Sequence, residues 1–259
     1  MSQRILMHHN DRVLTITNND PDTLNSISSE FCAEFFSVMD AAATDDDIRA
    51  IVLTGADGFF CSGGNLDELH AHIDAPIETC REGVDKVHAA IKVMRSCPKP
   101  IVAALEGGAA GAGVPLALAA DMIVAARSSY MSIAYVFVGL TPDGGTTAML
   151  SRMLPRHLLS EMAMTGTRIE AQRLHELGVV NTLCESGKAL AKAQEQALRL
   201  SKGPPRAIAK CKELIYRAES TTFEAQLDAE AEGIINALGG PEAREGLAAF
   251  IQKRRPDWR

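Results

Sequence analysis

Apolar positions along this chain switch between the alternation of a strand and the spacing of a helix face, and the switches lay out its elements. Arg12 to Thr17 (RVLTIT) alternates as a strand does, and Asn18-Asn19-Asp20-Pro21-Asp22 is a turn. Ser28 starts a helix with Phe31, Phe35, Val38, Met39 and Ala42 on one side, and Thr44 to Asp47 ends it. Ile48 to Thr54 (IRAIVLT) predicts a buried strand, followed directly by the Gly-rich stretch Gly55 to Leu66. Asp67 to Arg95 is mostly helical, interrupted near Asp74 to Pro76, and Cys97-Pro98-Lys99-Pro100 is a rigid stop. A third strand, Ile101 to Leu105, runs into a Gly/Ala cluster at Gly107 to Gly113, and Val114 to Ala120 is helix-compatible. The chain thus twice delivers strand, Gly-rich turn and helix, which favours an α/β architecture. After Asp143 the pattern is helical over Thr146 to Leu154, Leu158 to Thr165, Ala171 to Leu177, Lys188 to Leu200 and Pro204 to Ala218. Val179 to Leu183 predicts a last short strand, and Gly239-Gly240-Pro241 precedes a final helix from Glu242 to Lys253.

The two Gly-rich turns and one acid carry the candidate chemistry. Small residues from Gly107 to Gly113 let main chain approach another group without an intervening Cβ. Pro115 suits a first helical turn, so N–H groups around Ala112 should point outward where partial positive charge collects. Such backbone can bind phosphate or stabilise an oxygen anion; close helix packing is the other reading of the same cluster. It has neither the Lys-Ser/Thr ending of a phosphate loop nor the spacing of a dinucleotide fingerprint. Downstream, Asp143 sits in Pro-Asp-Gly-Gly among mostly uncharged residues, either as a turn residue or as a base. His70 and His72 fall on different faces of their helix, which argues against a metal pair. His8-His9 reads as a solvated terminus, and His88, His157 and His175 as surface or packing residues without partnering acids. Cys61 reads either as a nucleophile beside a helix start or as a small packed residue.

Composition narrows the partners. The chain has 259 residues, 46% apolar and 23% charged, with a net charge of −7. That is ordinary globular composition, and the acidic balance argues against a nucleic-acid or anionic-membrane surface. Six cysteines (Cys32, Cys61, Cys80, Cys97, Cys184 and Cys211) lack CxxC or metal-ligand spacing and read as reduced. No apolar run reaches spanning length, and the first residues lack the apolar core of a signal peptide. A soluble, cytoplasmic protein is expected.

FFCSGGNLDEL and PKPIVAALEGGAAGAGVPLALAAD resemble the first and second oxyanion-hole segments of the crotonase (enoyl-CoA hydratase/isomerase) superfamily. VGLTPDGGTTAMLSRMLPR, MTGTRIEAQRLHELGVVN and EGLAAFIQKRRPDW are similar to further family segments, in the family's order, so the resemblance covers nearly the whole chain. It implies an α/β fold, a crotonase-like spiral of repeated ββα units over residues 1–199. A C-terminal helical region, residues 200–259, would form trimers, possibly paired into hexamers, burying Leu214, Ile215, Phe223, Leu227, Ile234 and Ile235. The resemblance also implies an acyl-CoA substrate, with coenzyme A part of the substrate and no separate cofactor or metal.

Carried over by position, the oxyanion donors are the N–H groups of Gly64 and Ala112. Ser62, Gly63, Asn65 and Leu66, with Gly111 and Leu140, would line the acyl-CoA path. Phe250 and Lys253 would close over the nucleotide end of CoA, often from a neighbouring subunit. Val136, Phe137, Val138 and Leu140 suggest an apolar pocket. Hydratases of the family use two acids; here those positions are Pro115 and Tyr135. Asp143 remains, where the family's isomerases place their acid. The expected reaction is movement of a double bond from a 3-enoyl to a 2-enoyl thioester through an enolate, with Asp143 as acid and base. Hydration with Asp143 or Glu106 managing water, acyl-CoA binding without turnover, and a nucleophilic Asp143 are the alternatives. The basic residues that usually flank the N-terminal turn of the family and meet CoA phosphates are missing from Asn19 to Asn25.

Overall fold

The structure is a computed structural model that describes residues 3–258. Strand β1 (Ile5–Asn10) pairs antiparallel with β2 (Val13–Asn18) across a two-residue turn at Asp11 and Arg12, both left-handed with φ of 48° and 65°. His8 and His9 therefore belong to a strand and not to a loose terminus. β1 is a sheet edge that buries only Ile5, so its sequence carries no alternation to read.

Helix α1 (Ser29–Thr44) begins where the Ser28 hydroxyl accepts the Phe31 N–H at 3.1 Å. It buries Phe31, Phe35, Met39 and Ala42 as the spacing predicted. Next come β3 (Ala50–Gly55), α2 (Leu66–Ala71), α3 (Ile77–Ser96), β4 (Ile101–Leu105), β5 (Gly108–Ala110) and α4 (Gly113–Leu118). Strands β6 (Met122–Ala126) and β7 (Tyr130–Ser132) lead into a short 3-10 helix, Ala134–Val138. The chain continues as α5 (Thr146–Leu150), α6 (Arg156–Thr165), β8 (Arg168–Glu170), α7 (Ala171–Glu176) and β9 (Thr182–Cys184). Four helices close it: α8 (Ala189–Ser201), α9 (Pro205–Ala218), α10 (Phe223–Leu238) and α11 (Pro241–Ile251).

The larger sheet runs β1-β2-β3-β4-β6-β9, parallel from β2 onward, and the smaller runs β5-β7-β8. Bridges from Cys61 to Ala109 and from Ile27 to Gly64 extend the second ladder back to the earlier turns. Each circuit lays one strand in the large sheet and one short pairing in the small one. The result is an α/β spiral of repeated strand–turn–helix units, as the resemblance implies.

Both faces of the large sheet are covered, which is why its strands read as continuous apolar runs. Ile51, Leu53, Ile101, Leu105 and Ile123 face the main core with α1 and α4. Val52, Val102, Ala104 and Val124 face α8, whose Ala189, Ala193 and Ala197 recur every four residues and let the helix lie close on the sheet.

Candidate active site

The first Gly-rich turn leaves the C-terminal end of β3 and is tied down by the chain that follows β2. Asn25, fully buried and left-handed at φ 59°, donates through Nδ2 to the carbonyls of Ala56 (2.9 Å) and Phe59 (2.6 Å). Ser62 donates its hydroxyl to the Thr23 carbonyl at 2.7 Å, and Ile27 N–H donates to the Gly63 carbonyl at 2.7 Å. Asn65 caps α2, accepting the Glu68 N–H at 3.0 Å and donating to the Ser26 hydroxyl. The side chains of Ser62 and Asn65 are thus engaged in holding the turn, and the main chain is what this segment can offer a ligand. The fixing partner Asn25 was not singled out from the sequence; a polar residue three places after the Pro21-Asp22 turn was its only signal.

The second turn follows β4 and packs directly on the first. Gly63 has φ 115°, and a Cβ there would lie 3.0 Å from the Ala110 carbonyl oxygen and 3.4 Å from the Ala112 nitrogen. At Gly113 a Cβ would lie 2.5 Å from the Cys61 carbonyl oxygen. Only glycine permits this approach. In a parallel bridge the flanking residues bond to the partner strand, so the Gly64 N–H is turned away from Ile27. The Ala112 N–H heads α4, where the first N–H groups have no intrahelical acceptor. Among the described residues neither N–H donates to a protein acceptor. Gly111, at φ 48°, is held by its own N–H donating to the Ser132 carbonyl at 3.0 Å.

Cys61 is fully buried, and burial pushes its thiol up to about 12. It is a packed residue and not a nucleophile. Leu69 lies against Gly64, its Cδ1 3.4 Å from where a Cβ would stand, and Leu66 beside it is exposed. Apolar side chains of α2 therefore flank the first amide.

Asp143 lies in the turn before α5, half-buried. Its carbonyl accepts the Thr146 N–H at 3.0 Å and the Thr146 hydroxyl at 2.7 Å, which fixes the turn. The Tyr135 hydroxyl donates to Asp143 Oδ1 at 2.5 Å. Burial first, and then the Asp143 charge, raise the acid range of that phenol well above its ordinary value. The Gly144 N–H donates to His88 Nε2 at 3.3 Å, so His88, expected as a packing residue, fastens the Asp143 turn to α3. A Cβ on Gly144 would meet Pro115 Cγ at 2.8 Å, which seats the same turn on the first turn of α4. The acid and the Ala112 amide thus share one end of α4.

Other expected residues lie elsewhere. Glu106 accepts the N–H groups of Gly187 (2.9 Å) and Ala189 (3.3 Å), capping α8, and is not free to manage water. Leu140 is exposed on the connection between the 3-10 helix and Asp143. Phe137 lies against Gly166 and not in a pocket with Leu140, since a Cβ there would fall 2.4 Å from its ring. Phe250 and Lys253 are exposed at the end of α11. The tail beyond them meets Arg49, which donates to the Trp258 carbonyl at 2.6 Å near the N-terminal end of β3. The two turns leave from the opposite ends of the strands, so a single chain does not bring Phe250 and Lys253 to them. Grooves of about 340 and 560 Å³ line α9 and α11 and include none of the turn residues. Among the described residues no cluster of His, Cys, Asp or Glu could hold a metal, and no helix is long and apolar enough to cross a membrane.

Residues 8–259 match the profile of the enoyl-CoA hydratase/isomerase family. The chain belongs to that family. It is 33% identical to the 1,2-epoxyphenylacetyl-CoA isomerase of Escherichia coli, over 100% of this chain and 99% of the relative. It is 30% identical to the 2,3-dehydroadipyl-CoA hydratase of the same organism, over 98% of each. A crystal structure described as an enoyl-CoA hydratase from a Polaromonas species superposes with a TM-score of 0.96, at 41% identity, covering 98% of this chain and 99% of that one. Enoyl-CoA hydratase/isomerase family enzymes act on acyl-CoA, with coenzyme A carried by the substrate and no separate cofactor. The names of these relatives include both isomerase and hydratase. Two unengaged amides, with the Asp143 turn seated on the helix that one of them heads, suit chemistry that places charge on a thioester oxygen and moves a proton.

Proposed function

We propose that the protein moves a double bond in an unsaturated acyl-CoA, from the 3-enoyl to the 2-enoyl position, with Asp143 as the single acid/base. A carboxylate oxygen of Asp143 takes a proton from the alpha carbon. The electron pair of that C–H bond passes into a dienolate whose oxygen accepts the N–H groups of Gly64 and Ala112. Asp143 then returns the proton to the gamma carbon as the new double bond forms between the alpha and beta carbons. No atoms are gained or lost. The observation that carries the reading is that the acid fastened to the start of α4 is Asp143, with Pro115 and a phenol, Tyr135, where a hydratase of the family would have carboxylates. One relative carries an isomerase name, although its named substrate is an epoxide and not an enoyl-CoA.

The test is turnover of a 3-enoyl-CoA by the wild type and by Asp143→Asn. A loss of about 10²- to 10⁴-fold is expected, the range of general acid/base catalysis. Equal rates would remove Asp143 from the mechanism. Hydration is the second reading, favoured by the hydratase name of another relative. It predicts that crotonyl-CoA gains water faster with wild type than with Asp143→Asn.

Residues 62–66 with Gly111 and Leu140 would line the acyl path. Residues 200–259 would act as the oligomerisation region of a homotrimer or hexamer, from which Phe250 and Lys253 of one copy reach the CoA of another. The exposed apolar faces of α10 and α11 support this division.

A further inference from the structure

We propose that Tyr135 is a positioning residue for Asp143: its hydroxyl holds one carboxylate oxygen and leaves the other as the only atom that exchanges the substrate proton. The inference rests on the reading of Asp143 as acid/base and adds what fixes that group and limits it to one oxygen. An aspartate carboxylate turns in a broad, roughly two-fold torsion, so its two oxygens are interchangeable unless something distinguishes them. Here the contact at 2.5 Å is of the short, charge-assisted O–H to carboxylate kind. It closes a nine-residue loop, Tyr135 to Asp143, that is already tight, because Leu140 N–H donates to the Tyr135 carbonyl at 3.0 Å.

The groups around the turn leave this task to Tyr135. His88, from α3, uses Nε2 to accept the Gly144 N–H. The Thr146 hydroxyl, from α5, is engaged with the Asp143 carbonyl and also neighbours the Tyr135 hydroxyl. Pro115, from α4, packs on Gly144 without a donor to offer. Among the described residues Tyr135 is the donor recorded to the Asp143 carboxylate. Half-buried and held protonated by its surroundings, the phenol remains a donor at neutral pH and adds no second charge beside the acid.

The experiment has a ground-state arm and a kinetic arm. Tyrosine labelled with ¹³C at Cζ gives one resonance for each of three tyrosines, and Tyr135→Phe identifies the one to follow. In Asp143→Asn the Tyr135 resonance should move at neutral pH, and its alkaline titration should begin earlier than in wild type. With 3-enoyl-CoA, Tyr135→Phe should lose about 10- to 100-fold in kcat with KM changed by less than about threefold, as for a misplaced reacting group. An unmoved Tyr135 resonance in Asp143→Asn would overturn the pairing, and it needs only two proteins that retain the phenol. A moved resonance with wild-type kcat in Tyr135→Phe, or with a loss confined to KM, would overturn the positioning role. Full activity in Asp143→Asn would instead overturn the acid/base reading, and the ¹³C arm distinguishes that failure from a missing Tyr135–Asp143 contact.

Discussion

Gly63 and Gly113 sit back to back behind the two unengaged amides, so a methyl group at either would act on the spacing of those amides before anything else. A Cβ at Gly113 meets Cys61 at both its carbonyl oxygen (2.5 Å) and its sulfur (3.0 Å), atoms of buried main chain and packed side chain that have no free direction to move. Gly113→Ala is expected to cost about 1–3 kcal/mol as overpacking and to reduce turnover by more than that loss of folded protein explains. Gly83, inside α3 with nothing within 4 Å of its Cβ position, is the matched control. Gly83→Ala should raise stability by about 0.5–1 kcal/mol and leave turnover unchanged. Thermal unfolding and 3-enoyl-CoA turnover on the two variants check both statements. Cys61 gives a second expectation at this scale: an alkylating reagent near neutral pH should label exposed Cys211 and leave Cys61 intact until the protein unfolds, as peptide mass mapping would read. The turns and Asp143 were legible in the sequence because Gly spacing and an isolated acid are local features. His88 was not, since its partner is a main-chain N–H 56 residues away. Tyr135 was noted there only as a lost carboxylate; its contact with Asp143 depends on a loop closure that spacing does not reveal.

Elements were readable in proportion to how sharply burial divides them. Strands β3 and β4 are covered on both faces and stood out as apolar runs. α1 buries one face and declared itself through Phe31, Phe35 and Met39. β5 and β8 span three residues each, too short for a period, and β5 is built from the Gly and Ala that mark the turn. α9 read in the sequence simply as a helical stretch, yet Lys212 on it is buried, donating to Asp121 Oδ2 at 2.8 Å and to the carbonyls of Met94 (3.0 Å) and Lys99 (3.1 Å). Tyr216, one turn on, donates to the other oxygen of Asp121 at 3.1 Å. This polar cluster roots the C-terminal helices in the core at the junction of β4 and β6. Removing the cation alone strands a largely buried carboxylate, so Lys212→Ala should destabilise by about 3–5 kcal/mol. Replacing both charges by apolar groups of similar volume, as in Lys212→Met with Asp121→Leu, should cost less than Lys212→Ala alone. Denaturant unfolding of the two variants measures the difference, and equal losses would show that the ion pair is not what holds α9.

At the scale of the whole molecule, the last two helices carry eight of the large apolar side chains that the described residues leave exposed. α10 turns Ala229 and Gly233 inward, with Gly233 against Lys210 and Leu214 of α9. Leu227, Ile234 and Leu238 then recur at intervals of seven and four along another face, exposed by 49%, 60% and 58%, with Ile235 alongside. Leu247 and Phe250 of α11 continue the apolar surface. A monomer rarely leaves so many large apolar side chains together in water, and the hydrophobic effect favours covering them with a second copy. The family resemblance implied that Leu227, Ile234 and Ile235 pack against other copies, and in one chain all three are exposed. Light scattering on the full chain should give three or six protomers. Ile234→Glu with Ile235→Glu would put charge into that face and should yield smaller species. If Phe250 and Lys253 serve a neighbour's CoA, the dissociated protein should also lose affinity for acyl-CoA while retaining the fold of its large sheet. A wild-type monomer with full activity would overturn both the assembly and the shared site.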